Sequence, residues 1–193
     1  MKNSIFGIAL FAIFLTACNN SSDKSNETQT TSSDTTQANT PTTTEDKKDA
    51  APLKEIVSSY LQIKNGLATD NGKDAASGGK AFVDAIGKVD KTKFTAAQNK
   101  TYTDIADDAK EMAEHIGENA DKLEHQREHF DMLSNDVYDM VKTFGAGQSL
   151  YKDFCPMYNN KKGAIWLSET KEIKNPYLGK KMPTCGSVKE ELK

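Results

Sequence analysis

Four stretches of apolar residues with helical spacing, between residues 53 and 144, constrain the fold of this chain more than any other feature. Within each stretch the apolar positions recur three or four residues apart, as they do along one face of an α-helix. These positions are Leu53, Ile56, Val57, Tyr60, Leu61, Ile63 and Leu67; Ala81, Phe82, Ala85, Ile86 and Val89; Tyr102, Ile105, Ala106, Ala109, Met112 and Ile116; and Leu123, Phe130, Leu133, Val137, Met140, Val141 and Phe144. The sequence therefore predicts a mainly α fold, an antiparallel four-helix bundle.

Short polar or glycine-rich segments separate the four stretches. The Asp-Asn-Gly segment 70–72 divides the first helix from the second. The third helix is expected to begin near Thr95 and to end at Gly-Glu-Asn, 117–119, since glycine tolerates the left-handed conformation that ends many helices. The fourth is expected to begin near Asp121 and to end at Gly-Ala-Gly, 145–147.

The pattern changes after the fourth helix. Residues 164–167 and 172–173 alternate like short strands, and prolines and glycines punctuate the remainder. We expect an irregular C-terminal cap, residues 149–193, that contains a short β-hairpin. Because this cap has little apolar content of its own, it must pack on the bundle through Phe154, Trp166 and Tyr177, or be held by a crosslink or an ion.

The N-terminus has the pattern of a bacterial lipoprotein precursor. Lys2 precedes an apolar run, 5–15, that is too short to span a bilayer stably, and Leu-Thr-Ala-Cys, 15–18, resembles a lipobox. This resemblance implies a signal peptide at 1–17 and lipid attachment at Cys18. The expected location is the cell envelope, as an outer-membrane lipoprotein; an ordinary cleaved signal with an incidental Cys18 is the alternative.

A polar tether follows. Residues 18–50 are rich in Ser, Thr, Asn and Asp and, after Cys18, contain no aromatic residue and no aliphatic one larger than Ala. Such a segment buries too little apolar surface to offset its ordering entropy, so disorder is predicted. Residues 51–193 have the length of one domain. The net charge of −3 and the lack of a basic block argue against a nucleic-acid partner.

Two thiols and two thioethers lie within a short part of the cap. They are Cys155, Met157, Met182 and Cys185. Thiolate and thioether sulfur favour Cu(I) and similar soft cations, so the pattern indicates metal handling. Two alternatives remain open: the cysteines form a disulfide, which an oxidising compartment permits, and the methionines fill gaps in the core.

The histidines offer a second set of donors. His125 and His129 are four residues apart on the fourth helix, with Met132 one turn further along the same face. An antiparallel hairpin would bring His115, near the end of the third helix, to the same end of the bundle as His125. Such pairs also occur on solvated faces, so their spacing alone is weak evidence for a metal.

A set of spaced residues, most of them in the C-terminal cap, matches a known pattern. These residues are 126–130, Leu133, Ser134, Tyr151, 154–157, 163–167, Ile173, 175–177, Gly179, Met182, Cys185 and Gly186. They resemble a bacterial domain family of formally unknown function. Members of that family are similar to the C-terminal domain of periplasmic adaptor subunits of copper and silver efflux pumps, and many Bacteroidetes lipoproteins consist of it alone. The resemblance covers about 53–192 and implies a small helical bundle that binds copper-like cations in the cell envelope.

The resemblance also implies a ligand set. The matching positions with donor atoms are His129, Cys155, Met157, Met182 and Cys185, and the i, i+4 spacing adds His125 as a further candidate. Cu(I) is the expected cation, with zinc and silver as alternatives.

The expected function is binding of a soft heavy-metal cation for tolerance or for transfer to an efflux adaptor or pump. The alternative is a non-catalytic interaction module in the envelope whose cap is held by a Cys155–Cys185 disulfide. An enzyme is not expected, because the chain has no glycine-rich phosphate loop, no nucleophile elbow and no zinc-protease motif.

Overall fold

The computed structural model describes residues 52–193. The predicted signal peptide 1–17, the lipid attachment at Cys18 and the tether 18–50 lie outside these residues. Within the described part of the chain, no helix has both the length and the apolar character that crossing a membrane requires.

Four long helices make up most of the described chain and confirm the prediction of a mainly α fold. Their bounds are Lys54–Ala68 (α1), Gly72–Gly87 (α2), Ala96–Glu118 (α3) and Leu123–Phe144 (α4). Helix α1 contacts α2, α2 contacts α3, α3 contacts α4, and α4 contacts α1. The largest apolar side chains buried between them are Tyr60, Ile63, Leu67, Phe82, Ile116, Phe130 and Leu133.

Local side-chain chemistry sets the helix ends close to the predicted positions. The Asn71 side chain accepts a hydrogen bond from the Asp74 backbone N–H at 3.1 Å and caps α2. Thr95 and Gln98 form a reciprocal capping box at the start of α3. Gly145, with φ of +78°, follows the last residue of α4, a conformation that glycine adopts without strain.

A three-stranded antiparallel sheet follows α4. Its strands are Leu150–Cys155 (β1), Ala164–Ser168 (β2) and Ser187–Leu192 (β3), in the order β2-β1-β3. A turn at Tyr158–Lys161, in which Asn159, Asn160 and Lys161 have positive φ, lies between β1 and β2. Residues 164–167 are a strand as predicted, but 172–173 are not. The hairpin partner of β2 is β1, in which Asp153 faces Trp166 and Phe154 faces Ile165.

The cap packs on α4 and α1 through β2, as predicted from its low apolar content. Trp166 is fully buried and Tyr177 is 1% exposed. The Tyr177 ring lies 5.7 Å from Phe130 and stacks at 4.4 Å on Tyr158. Its hydroxyl donates a hydrogen bond to the carbonyl oxygen of Ile165. Trp166 and Tyr177 are therefore core anchors that attach the cap to the helices.

Candidate metal centre

Three histidines converge where α3 ends and α4 begins. His115 lies in the last turn of α3, and His125 and His129 lie in the first two turns of α4. A short turn joins the two helices, so their ends meet on one surface. One ligand atom of each ring lies within 4.8 Å of the other two, and all three side chains are half-buried. We call these three residues the imidazole cluster.

The rings pack directly against one another. His115 and His129 stack with centroids 4.3 Å apart and planes 6° from parallel. The His125 ring lies 4.4 Å from His129 and nearly perpendicular to it. The thioether Sδ of Met112, one turn before His115 on α3, lies 3.3 Å from His129 Nδ1. The surface therefore gathers three nitrogen ligands and one soft sulfur.

Burial and the neighbouring rings disfavour the charged form of His129, the middle ring of the cluster. Burial, followed by the nearby rings of His115 and His125, lowers the pKa of His129 below its ordinary value. A neutral imidazole is the form that binds a metal, so a lowered pKa makes this ligand available at neutral pH.

Two carboxylates flank the outer rings. Glu111 Oε1 is 3.9 Å from His115 Nε2, and Glu128 Oε2 is 3.9 Å from His125 Nδ1. Both carboxylates sit one helical turn from their histidine. Ligating histidines commonly donate their second ring N–H to such a group, which fixes the tautomer and the ring orientation. Glu111 and Glu128 can supply that contact after small side-chain rotations.

The donor set suits a transition metal of the copper or zinc type. Imidazole nitrogen binds both metals, and thioether sulfur favours Cu(I). Donors around a tetrahedral ion lie roughly 3.4 Å apart for bonds of about 2.0–2.1 Å. Since the three imidazole donors lie within 4.8 Å of one another, binding requires them to approach by up to about 1.4 Å. Half-buried side chains on two adjacent helix ends have the rotational freedom for that change.

The structure divides the predicted ligands between two places. His125 and His129 lie in the imidazole cluster together with His115, which the sequence had placed only at the same end of the molecule. Met112 had been assigned to the apolar stripe of its helix. Met112 lies three residues before His115, so the two side chains share one face of the helix. In the α3–α4 hairpin this spacing makes Met112 a fourth possible donor.

The two cysteines lie together in the cap. Their Sγ atoms are 2.8 Å apart, both are free thiols, and Cys155 is fully buried. In residues 52–193, neither cysteine joins the group of donors that the histidines form. The Cys185 backbone N–H donates to the carbonyl oxygen of Met182 at 3.2 Å. The Met157 backbone N–H contacts the Cys185 thiol and favours its charged form. The backbones of both Met157 and Met182 therefore lie beside the thiols.

The methionine side chains themselves are not core residues. Met157 is 48% exposed and Met182 is 40% exposed. The interpretation of these two residues as packing in the core is therefore wrong. Partial burial, with the neighbouring Cys155 thiol, raises the pKa of Cys185 to about 11. A metal would therefore have to displace a proton from this thiol before Cys185 could bind it as a thiolate.

Comparison with known families identifies similarity over the helical part of the chain. The family model described as "Protein of unknown function (DUF3347)" matches residues 56–149. The matched segment contains all three histidines and Met112 and ends before β1, so the cysteines lie outside it. No curated protein and no solved structure matches the chain. Similarity to copper efflux adaptors is not part of this match and stays a prediction from the C-terminal motifs.

Proposed function

We propose that this protein binds a copper-type cation through His115, His125 and His129. The observation that carries the proposal is the convergence of three imidazole donors from two helices within 4.8 Å. Protonated rings this close would repel one another, so the arrangement favours neutral imidazoles, which are the form that binds a metal. The lowered pKa of His129 reflects its burial first and this repulsion second.

The thioether of Met112 supports copper as the cation. Its sulfur lies 3.3 Å from His129 Nδ1, close enough to share an ion with that ring after a side-chain rotation. Three imidazoles alone suit zinc equally well, and sulfur shifts the preference toward Cu(I) and Ag(I). Zinc is therefore the competitor against which the assignment has to be tested.

The proposed architecture is an antiparallel four-helix bundle. The closed cycle of contacts from α1 through α4 supports it. In such a bundle the α3–α4 hairpin supplies all four donors. The binding site would then depend on the relative position of two helix ends and on little else in the fold.

The proposed setting is the cell envelope. A lipid on Cys18 would hold the chain at the outer membrane, and residues 18–50 would let the site move away from it. We propose that the bound cation is retained for tolerance or passed to an efflux adaptor or pump, with no catalytic step. The half-buried rings and the 47% exposed Met132 on the same face of α4 favour transfer by ligand exchange at the surface.

The experiment is an anaerobic Cu(I) titration against a chelating competitor, followed by the same titration with Zn(II). The protein is the full chain with Cys18→Ser, which removes a thiol that would compete for copper. One cation per chain is expected. His129→Gln should weaken binding more than the 10–100-fold that loss of a supporting contact typically causes. Glu114→Gln, an exposed change on α3 that breaks only the pair with Lys110, is the matched control and should bind normally.

Variants of the cap separate this proposal from a sulfur site. Binding that survives His129→Gln but disappears in the Cys155→Ser, Cys185→Ser double variant would refute the imidazole site. Tighter binding of Zn(II) than of Cu(I) would refute the copper assignment while leaving the site intact.

The alternative of an interaction module receives no specific support from the cap aromatics. Trp166 and Tyr177 are 0% and 1% exposed, so neither side chain offers a docking surface. A partner that recognises this protein would have to use other residues.

A further inference from the structure

Two cysteines outside the imidazole cluster meet where the edge strand of the sheet begins. Cys155 is the last residue of β1, and Cys185 precedes the first residue of β3 by two positions. The strands are antiparallel, with Phe154 opposite Ser187. The two thiols thus flank the first cross-strand pair of the ladder, and their Sγ atoms are 2.8 Å apart.

Strand β3 has little apolar surface to hold it in place. Of its six residues only Leu192 is buried, at 7% exposure. The side-chain contacts that fix the strand are polar: Glu190 accepts hydrogen bonds from Tyr138 at 2.8 Å and from Lys142 at 2.7 Å. Exposed ionic contacts of this kind contribute little to stability. A covalent bond at the start of the strand would hold it in place where apolar burial is small.

We propose that Cys155 and Cys185 form a disulfide that fastens β3, and the loop before it, to β1. Cys185 is the more exposed of the two, so its thiolate attacks a disulfide-bearing oxidant and forms a mixed disulfide. The thiolate of Cys155 then attacks the Cys185 sulfur and releases the oxidant's second thiol. Two electrons and two protons pass from the cysteine pair to the oxidant, which leaves as two thiols.

The geometry favours this bond over a cation shared by the two sulfurs. Two thiolates on one tetrahedral ion, each about 2.3 Å from it, lie roughly 3.8 Å apart. The observed 2.8 Å is about 1 Å shorter than that arrangement requires. The neighbouring hydrogen bond from Asn175 Nδ2 to the Cys185 carbonyl oxygen, at 2.6 Å, holds the second cysteine in position.

The test is thiol counting and thermal unfolding of the full chain with Cys18→Ser, in the presence of a metal chelator. After treatment with oxidised glutathione, the denatured protein should contain no titratable thiol, and its mass should be lower by two hydrogens. A phosphine reductant should then lower Tm by about 10 °C, as expected for a loop of about 30 residues in a domain of this size.

The matched control is the Cys155→Ala, Cys185→Ala double variant. Its Tm should not respond to the reductant, which separates loss of the bond from any packing effect of the substitutions. Any of three results would overturn the proposal: two titratable thiols after oxidation, a stable glutathione adduct on Cys185, or a wild-type Tm that does not change with the reductant. None of these outcomes depends on the imidazole cluster, because the chelator keeps cations out of the assay.

Discussion

Replacement of Arg127 by methionine should destabilise the protein strongly, because its guanidinium joins three separate parts of the chain. The residue is only 5% exposed. Its Nε donates to the Pro176 carbonyl oxygen in the cap at 2.9 Å, and Nη2 donates to the Leu67 carbonyl oxygen at 3.2 Å. Nη2 also contacts Asp70 Oδ1 at 2.5 Å in the α1–α2 turn. Methionine keeps the apolar stem and removes every one of these donors.

The magnitude follows from the groups that lose their partner. The Pro176 carbonyl oxygen would be left without a donor, which costs about 1–3 kcal/mol, whereas the Leu67 carbonyl oxygen keeps the Asp70 backbone N–H at 3.1 Å. Breaking a buried ion pair costs roughly 3–5 kcal/mol. The Asp70 side chain is 29% exposed, so water partly replaces the guanidinium there. These contributions overlap, and we expect a loss of about 3–4 kcal/mol in the free energy of unfolding.

The loss should depend on pH. Burial alone would raise the pKa of Asp70, but the hydrogen bonds from Arg127 and the Lys180 backbone N–H outweigh it and lower that pKa. A carboxyl group with a lowered pKa stabilises the fold above its ordinary pKa and loses that contribution as the pH falls. The difference between Arg127→Met and wild type should therefore be largest at neutral pH and smaller below pH about 4.

Urea unfolding at neutral pH measures the effect. The expected loss corresponds to a midpoint lower by about 2 M for a typical urea dependence. Glu124→Gln is the matched control, since Glu124 accepts from Nη1 of the same guanidinium at 3.2 Å but its side chain is 84% exposed. That variant should lose less than about 0.5 kcal/mol. Equal losses in both variants, or a loss below about 1 kcal/mol in Arg127→Met, would refute the reasoning.

Three further predictions concern a glycine, a buried carboxyl group and the cation site. Gly179→Ala should lower the free energy of unfolding by roughly 2–4 kcal/mol, because φ is +50° and a Cβ would lie 1.9 Å from Asp70 Oδ1. Gly87→Ala is the control and should be neutral, since a Cβ at that position meets open space. Equal effects of the two changes in thermal unfolding would contradict this account. Burial raises the pKa of Asp153 to about 7. The unfolded chain therefore ionises at a lower pH than the folded protein, and the free energy of unfolding falls as the pH rises from about 4 to 7. Asp153→Asn should exceed wild type in urea stability at pH 8 by roughly 2–4 kcal/mol and match it near pH 4, whereas a constant difference would argue against a titrating carboxyl group. Cation affinity in the competition assay should fall at least about tenfold from pH 7 to pH 5 as protons displace the metal, and a pH-independent affinity would exclude imidazole ligands.

The helices were predictable because each of their signals is local. The capping box of Thr95 and Gln98 is complete within four residues, and the apolar stripes need no knowledge of the partner helix. The same spacing rule placed His125 and His129 on one face. The position of His115 beside them required only the further step that two helices joined by a short turn run antiparallel.

Strands β1 and β3 were less predictable because they pair with each other across a long stretch of sequence. Strand β1 contains Lys152 and a buried Asp153, and a register shift against β3 lies between these two residues. Strand β3 is mostly charged and exposed, so its own pattern carries no period of two. The burial of Arg127 was also not predictable from the sequence. A charged residue in a polar helical segment is typical of a solvated face, and only the folded positions of Asp70 and Pro176 explain why it is buried.

Helix α4 separates the proposed cation site from the cap. His129 faces α3 and contacts Met112, whereas Arg127, two residues earlier and about 200° around the helix, faces α1 and the cap. A cation bound at the imidazole cluster would therefore tighten the α3–α4 hairpin without touching the contacts that hold the cap. Opening the proposed disulfide should in turn lower Tm and leave cation affinity unchanged, because the cysteines contribute no donor to the cluster. If reduction instead altered affinity, helix α4 would have to transmit a shift from one face to the other, and the two centres would be parts of one site.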